Sequence, residues 1–172
     1  MKAEELQERF NAGERNFPEV DLSGEDLSNL DLSEIKLTKA TLKQTNFQGT
    51  RLKAAELTAA DLTRANLSSA NLTGASLYEA NLENANLSQA QLDQASLQGA
   101  NLTGADLSQA NLIQTDLSTA NLTKANLTAV DLGQAIYKTT NFSYADLTKA
   151  NLNEVNLDDM ILRDAILPED SQ

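Results

Sequence analysis

The stretch ANLTGADLSQANL, residues 100–112, places Leu at 102, 107 and 112 and Ala at 100, 105 and 110. These hydrophobic residues recur every five positions, which matches neither the helical period of about 3.6 nor the strand period of about 2. In a helix, successive leucines would lie about 140° apart around the cylinder, and in a straight strand they would alternate between its faces. The chain must therefore turn after each short extended piece if its leucines are to share one side.

The same period extends over most of the 172-residue chain. Every fifth position from 22 to 167 is apolar; 27 of these 30 positions are Leu, and the others are Phe47, Tyr137 and Phe142. The residue two positions earlier is Ala in 19 of 30 pentads, and the residue between is Asn or Asp in 20. If Ala and Leu point inward and the next two residues turn the chain, repeated turns of one sense produce a solenoid around a thin core. This pattern alone leaves the corner angle and the handedness open.

The run ANLTGADLSQANLIQTDLSTANLTKANL, residues 100–127, closely resembles the A-(D/N)-L-x-x repeat of the pentapeptide repeat family, as do most of residues 21–167. The resemblance implies an all-β solenoid, a right-handed quadrilateral β-helix with four pentads in each coil. Its 30 pentads would form about 7.5 coils and a rod roughly 36 Å long at a strand spacing of about 4.8 Å. We expect a capping helix and lead-in over 1–15, the β-helix over 16–167 and a tail over 168–172.

Under that resemblance, residues 20 apart stack in columns within the core. Tyr137 and Phe142 lie in adjacent pentads, and we expect one widened coil there, caused by packing relief, with a ligand site as the alternative. Two of the predicted columns consist of Leu22, Leu42, Leu62, Leu82, Leu102, Leu122, Phe142 and Leu162, and of Leu37, Leu57, Leu77, Leu97, Leu117, Tyr137 and Leu157.

A solenoid has open ends that require covers. Ala3, Leu6 and Phe10 fall at helical spacing, so we predict a capping helix whose Leu6 and Phe10 cover the first coil. The segment FNAGERNFPEVDLSGEDL, residues 10–27, resembles the lead-in of many cyanobacterial members of the family, in which such a helix precedes the repeats. Glu25 takes a position normally held by Ala, and we expect it at the wet end of its column because an unpaired buried carboxylate is costly.

At the other end, Ile161 and Ile166 take outward positions that are Asn or Asp in most pentads. Two hypotheses follow for this pair. The isoleucines form the surface of an end-to-end homodimer, or they pack beneath the folded tail.

The composition leaves little room for catalysis or metal binding. The chain contains no Cys and no His, and it has no phosphate-binding glycine motif. We therefore expect no enzymatic activity, no catalytic residues, no cofactor and no metal site. Because no long apolar segment is present, we also expect a cytoplasmic protein without a membrane partner.

The net charge of −12 argues against nucleic acid as a direct ligand, because phosphate binding needs Lys and Arg. Residues 1–34 contain ten acids and three bases (−7), and residues 151–172 contain six acids and one base (−5), whereas residues 35–64 contain two acids and six bases (+4). We interpret this basic cluster as solubilising and as paired with acids of the first coil; the alternative is an anion site.

We therefore expect a structural or protein-interaction module, a rigid rod that presents a polar surface to an unidentified protein partner. The family resemblance suggests an alternative, the regulation of DNA gyrase or a related DNA-binding enzyme by DNA mimicry. A remote alternative is ice binding by a ladder of outward hydroxyls, which comprises Ser68, Ser88, Ser108, Thr128 and Thr148.

Overall fold

The computed structural model of the protein describes residues 1–169. In chain order, its elements are helix α1 (Ala3–Asn11), strand β1 (Thr140–Asn141), the 3₁₀-helix η1 (Leu157–Asp159) and strand β2 (Met160–Ile161). Residues 170–172 of the predicted tail lie outside the described residues. Within residues 1–169, no helix has the length and apolar character needed to cross a membrane.

The chain between α1 and the C-terminal end winds into a solenoid whose coils are 20 residues long. Parallel bridges join residues 20 apart, from Asn16 with Lys36 to Asp146 with Ile166. Strands β1 and β2 continue this register, with Thr140 opposite Met160. Most of the ladder consists of single-residue bridges, because a corner interrupts the extended chain within each pentad. The β-structure expected from the sequence is therefore present mainly as narrow parallel ladders.

Each pentad pairs its backbone with the coils on both sides. The Leu102 N–H donates to the Asn121 carbonyl of the next coil at 2.7 Å, and the Asn121 N–H donates to the Ala100 carbonyl at 2.9 Å. The corner closes when the Ala105 N–H donates to the Leu102 carbonyl at 3.0 Å. Since buried backbone groups need partners, this pattern explains why Ala and Leu can line a narrow core without a wide strand.

The second corner residue of each pentad has a left-handed backbone. Between Glu19 and Asp164, φ at this position lies between 53° and 70°, except at Gln134 and Asp159. A positive φ at the third position of a four-residue turn is the mark of a type II turn. At Gly104, an added Cβ would lie 2.5 Å from Asn84 Oδ1, so the exposed Asn84 side chain would have to move to make room for it.

The inward side chains form one continuous apolar core. Leu6 and Phe10 of α1 are buried over its first coil. At the other end, Tyr137, Leu157 and Leu162 pack against the core but remain partly exposed. The other members of the two predicted columns are fully buried, namely Leu22, Leu42, Leu62, Leu82, Leu102, Leu122, Phe142, Leu37, Leu57, Leu77, Leu97 and Leu117.

Four threonines replace Ala at inward positions and are fully buried. Each Oγ1 donates to a Leu carbonyl of the preceding coil at 2.7–2.8 Å, as Thr115 does to Leu92. A buried hydroxyl is tolerated here because it has this partner. The four residues are Thr45, Thr50, Thr115 and Thr140.

Candidate interaction surface

The outward Asn and Asp side chains bind the backbone of their own pentad. Asp106 Oδ1 accepts from the Ser108 N–H at 2.9 Å and from Asn126 Nδ2 of the next coil at 3.0 Å. The first of these bonds gives the Ser108 N–H an acceptor, since this donor takes no part in the backbone hydrogen bonds between coils. The outward Asn and Asp residues of the regular pentads therefore complete the fold rather than mark a ligand site.

Some hydroxyls of the predicted ladder donate a hydrogen bond to the outward Asn of their own pentad. Ser88 Oγ donates to Asn86 Oδ1 at 2.7 Å, and Thr128 Oγ1 donates to Asn126 Oδ1 at 2.5 Å. Two of the five hydroxyl donors are thus directed along the protein surface. No structural observation in the described residues favours ice binding over this local role.

The acids in the middle of the rod are spread over all four faces of the solenoid. Residues whose numbers differ by multiples of 20 share a column, so the register assigns each acid to a face. The four groups are Glu79 with Asp116, Glu83 alone, Asp93 with Asp131, and Asp106 with Asp146. No face between residues 65 and 150 carries a continuous acidic row.

Half of the basic cluster pairs with acids of neighbouring coils. Nζ of Lys36 lies 2.7 Å from Glu56 Oε1, and Nζ of Lys43 lies 3.0 Å from Asp61 Oδ2. A third pair joins Arg51 and Asp31 at 3.0 Å. Of these three pairs, only this one involves an acid of the first coil, the partner expected from the sequence. Exposed pairs of this kind contribute at most about 1 kcal/mol each.

The other three bases, Lys39, Lys53 and Arg64, form no ion pair with a described residue. Arg64 borders a shallow groove of about 400 Å³ together with Lys43, whose charge is already paired. The described residues therefore provide no buried pocket for an anion within this cluster.

Helix α1 closes the N-terminal end of the solenoid through Glu25. Its Oε2 accepts from the Ala3 N–H at 2.9 Å, and its Oε1 lies 2.7 Å from Lys2 Nζ. These bonds, first the one from Lys2 and then the one from Ala3, lower the pKa of the Glu25 carboxyl. Glu25 thus lies under the start of α1, where it holds the helix on the first coil.

Arginine contacts fix the other end of α1. Arg9 Nε donates to Glu14 Oε2 at 2.7 Å, and the Arg9 guanidinium lies 5.1 Å from the centre of the Phe17 ring. The Arg15 guanidinium lies 3.8 Å from the centre of the Phe10 ring. The N-terminal end of the rod is therefore covered by a helix that is anchored on both sides.

The C-terminal end has a different surface, because its outward positions become apolar. Ile136, Ile161 and Ile166 occupy Asn/Asp positions and are 53%, 50% and 57% exposed. Ile161 and Ile166 lie in consecutive pentads of the last coil, whereas Ile136 lies in the coil before it. We call Ile161 and Ile166 the C-terminal collar. The described part of the tail, Pro168 and Glu169, leaves Ile161 and Ile166 exposed.

The inward leucines beside the collar are also less covered than those elsewhere. Leu152, Leu157, Leu162 and Leu167 are partly exposed, whereas the leucines at the corresponding positions of the first coil, Leu22, Leu27, Leu32 and Leu37, are buried. Apolar side chains therefore reach the surface both on the sides and at the end of the last coil.

The corners next to the collar depart from the regular register. The Gln114 N–H donates to the Gln134 carbonyl, and the Thr139 N–H donates to the Asp159 carbonyl, each one residue later than the pattern. The Tyr137 hydroxyl accepts from the Asn156 N–H at 2.9 Å. The five-residue period does not predict these shifts, because the sequence has no insertion or deletion near Gly133 or Leu157.

Acidic residues flank the collar along the chain, and we call them the acidic rim. We define it as Glu154, Asp158, Asp159 and Asp164, all of which are exposed. The one base among residues 151–169 is Arg163, whose Nε lies 3.5 Å from Asp164 Oδ2. The C-terminal end thus combines exposed apolar side chains with a net negative charge.

The sequence profile of pentapeptide repeats matches the chain in eight copies, over residues 16–53, 60–99, 100–136 and 140–168. No curated protein sequence matches the chain.

Several solved structures resemble this solenoid. Rfr23, a pentapeptide repeat protein from the cyanobacterium Cyanothece 51142, is 27% identical with a TM-score of 0.65, over 78% of this chain and 98% of its own. HetL from Nostoc sp. strain PCC 7120, involved in heterocyst differentiation regulation, is 32% identical with a TM-score of 0.35, over 98% and 94%. QnrB1, a plasmid-mediated fluoroquinolone resistance protein, is 17% identical with a TM-score of 0.39, over 90% and 92%.

Proposed function

Because the chain belongs to the pentapeptide repeat family, we propose that it is a non-catalytic interaction module, a rigid rod that binds a protein partner through its C-terminal end. The observation that carries this proposal is the contrast between the two ends. Leu6 and Phe10 of α1 cover the first coil, whereas Ile161 and Ile166 are half exposed on the last. Tyr78, Ile113 and Tyr144 are also exposed, but among the described residues the C-terminal end is where exposed isoleucines lie beside partly exposed core leucines. Exposed apolar groups that lie together are typical of interaction sites.

The proposed rod is a right-handed quadrilateral β-helix, the form that the family resemblance implies. Thirty pentads at four per coil give about 7.5 coils. The 20-residue register of the parallel bridges supports four pentads per coil. In this form α1 and the C-terminal collar lie at opposite ends of the rod.

Affinity capture from a cytoplasmic extract, the compartment predicted from the sequence, tests this function. The bait is the full chain, and the matched control is the variant Ile161→Asn/Ile166→Asn, which restores the residue type found in most pentads. We expect a protein that the wild-type chain retains and the variant loses, and that binds again when both are purified. Equal capture by both baits would contradict binding through the C-terminal end.

An assay of DNA supercoiling by gyrase, with and without a quinolone, tests the mimicry alternative. Because the mid-rod acids are spread over four faces, we expect neither inhibition nor drug protection at low micromolar concentrations of the protein. Inhibition that is lost in Asp106→Asn/Asp146→Asn would instead support mimicry, since these two acids share one column.

A further inference from the structure

The C-terminal collar has apolar side chains at outward positions that are polar in every other pentad except that of Ile136. In a regular pentad, the outward Asn or Asp accepts the N–H of the residue two positions on, as Asp106 does from Ser108. Isoleucine has no acceptor for that N–H. Other pentads without Asn or Asp at this position, such as those of Lys36 and Arg51, lack this acceptor too, so the distinctive feature of Ile161 and Ile166 is that their apolar side chains are half exposed. A partner that covers these side chains would account for their exposure.

The charge around the collar selects among the partners that could cover it. Asp158, Asp159 and Asp164 are exposed beside it, and Arg163 contacts Asp164 within the chain. In a two-fold homodimer the same surface meets itself, so the acids of one copy would face the acids of the other. Screening acts over about 10 Å at ordinary salt concentrations and does not remove repulsion between closely apposed rims. The charge therefore disfavours a second copy of this chain.

We propose that the C-terminal collar binds a basic amphipathic segment of a partner protein, whose apolar side chains cover the isoleucines and whose Lys or Arg residues lie against the acidic rim. The inference rests on the proposed function and specifies the chemistry of the partner. Complementary charge steers the encounter and sets specificity, while the buried apolar contact slows dissociation.

A fluorescently labelled synthetic peptide tests this chemistry on the full-length protein. The probe is an amphipathic helix with leucine on one face and lysine on the other, and its control has glutamate in place of lysine. Fluorescence anisotropy measures Kd. We expect binding of the lysine peptide, with an affinity that falls at least about tenfold in Ile161→Asn/Ile166→Asn, and much weaker binding of the glutamate peptide.

Two control variants separate the collar from general attraction to an acidic protein. Tyr78→Thr removes an exposed apolar side chain, 40% exposed, from the middle of the rod, and it should leave Kd unchanged. Asp158→Asn/Asp164→Asn should weaken binding, whereas Glu19→Gln/Glu34→Gln, which removes the same charge near the other end, should not.

Three results would overturn the inference. The first is an Ile161→Asn/Ile166→Asn variant that keeps wild-type affinity, since attraction would then be unspecific. The second is equal binding of the glutamate peptide. The third is a wild-type dimer in sedimentation equilibrium that this variant dissociates, because the occupant would then be a second copy. If affinity capture instead yields a collar-dependent partner without a basic amphipathic segment, the proposed function holds and this inference fails.

Discussion

Outward Asn and Asp residues dominate the repeat because a short side chain with a carbonyl oxygen reaches the backbone two residues on. Asp106 Oδ1 shows both parts of this role, since it accepts from the Ser108 N–H and from Asn126 Nδ2. The consensus alone shows that Asn and Asp are frequent, but it does not reveal which donor they serve. At the residue scale, the repeat thus supplies hydrogen-bond acceptors for the backbone as well as apolar side chains for the core.

This role predicts different effects of two substitutions at Asp106. Asp106→Ala removes the acceptor, and we expect the free energy of unfolding to fall by about 1 kcal/mol. Asp106→Asn keeps the side-chain carbonyl, and the change should stay within about 0.5 kcal/mol. Urea denaturation followed by circular dichroism measures both. Equal losses in the two variants would show that the Ser108 N–H does not depend on this oxygen.

The inward threonines allow a second prediction. Thr115→Val removes the hydroxyl that donates to the Leu92 carbonyl at 2.7 Å and keeps the branched shape. The free energy of unfolding should fall by about 1 kcal/mol, since the hydrogen bond is buried. Thr148→Val, at an outward corner position, is the matched control and should change stability by less than about 0.5 kcal/mol. If Thr115→Val has the same free energy of unfolding as the wild type, the inward hydroxyl does not contribute to stability.

At the scale of elements, helix α1 depends on one contact that the repeat does not predict. Glu25 replaces an inward Ala, yet its carboxylate receives the Ala3 N–H and lies beside Lys2. Two acids of α1, Glu4 and Glu5, lie in its first turn, where they interact favourably with the helix dipole. The helix therefore begins on a carboxylate that belongs to the first part of the solenoid.

The Glu25 contact makes the docking of α1 sensitive to acid. Its folded-state pKa is lowered from the ordinary value of 4.5, first by Lys2 and then by the Ala3 N–H. The stabilisation is therefore complete above pH 4.5 and is lost as the pH falls through the lower pKa of the folded state. We expect hydrogen-exchange protection of α1 to drop in that window, and Glu25→Ala to remove the drop.

Glu34→Ala is the control for this experiment, because Glu34 forms no ion pair with a described residue. Its α1 protection should follow the wild-type pH dependence. If α1 in Glu25→Ala loses its hydrogen-exchange protection at the same pH as in the wild type, a group other than Glu25 causes the acid sensitivity.

At the scale of the whole molecule, each coil contacts only its neighbours. Stability is then a sum of coil and interface contributions, and the middle of the rod, with neighbours on both sides, is the most sensitive place. Leu102 is fully buried there, whereas Leu162 of the last coil is partly exposed.

We therefore expect Leu102→Ala to lower the free energy of unfolding by about 2–4 kcal/mol, and Leu162→Ala by less than half as much. Leu102→Asp, which buries an unpaired charge, should unfold the rod or divide its unfolding into two transitions. Differential scanning calorimetry distinguishes these outcomes. A Leu102→Asp protein that melts like the wild type would show that this leucine does not point into the core.

The five-residue period predicts that the leucines point inward, because no regular helix or strand can bury such a pattern. Their stacking in columns of residues 20 apart was implied by the family resemblance and not by the period. The corners near Gln134 and Asp159 were not predictable, since their residues keep the register and their conformation depends on the neighbouring coil. The role of Glu25 also required the folded molecule, because its partners, Lys2 and Ala3, precede it by more than 20 residues. The isoleucines at outward positions and the excess of acids over residues 151–172 were both visible in the sequence, whereas the exposure of Ile161 and Ile166 required the folded molecule.

The uninterrupted register links the number of pentads to the relative orientation of α1 and the C-terminal collar. Four pentads complete one coil, so a duplication of 20 residues would move the two ends apart by about 4.8 Å and leave their angular relation unchanged. A duplication of five residues would instead rotate everything after it by one face. Gain or loss of single pentads thus gives evolution a way to change the direction in which the collar faces without altering any residue within it.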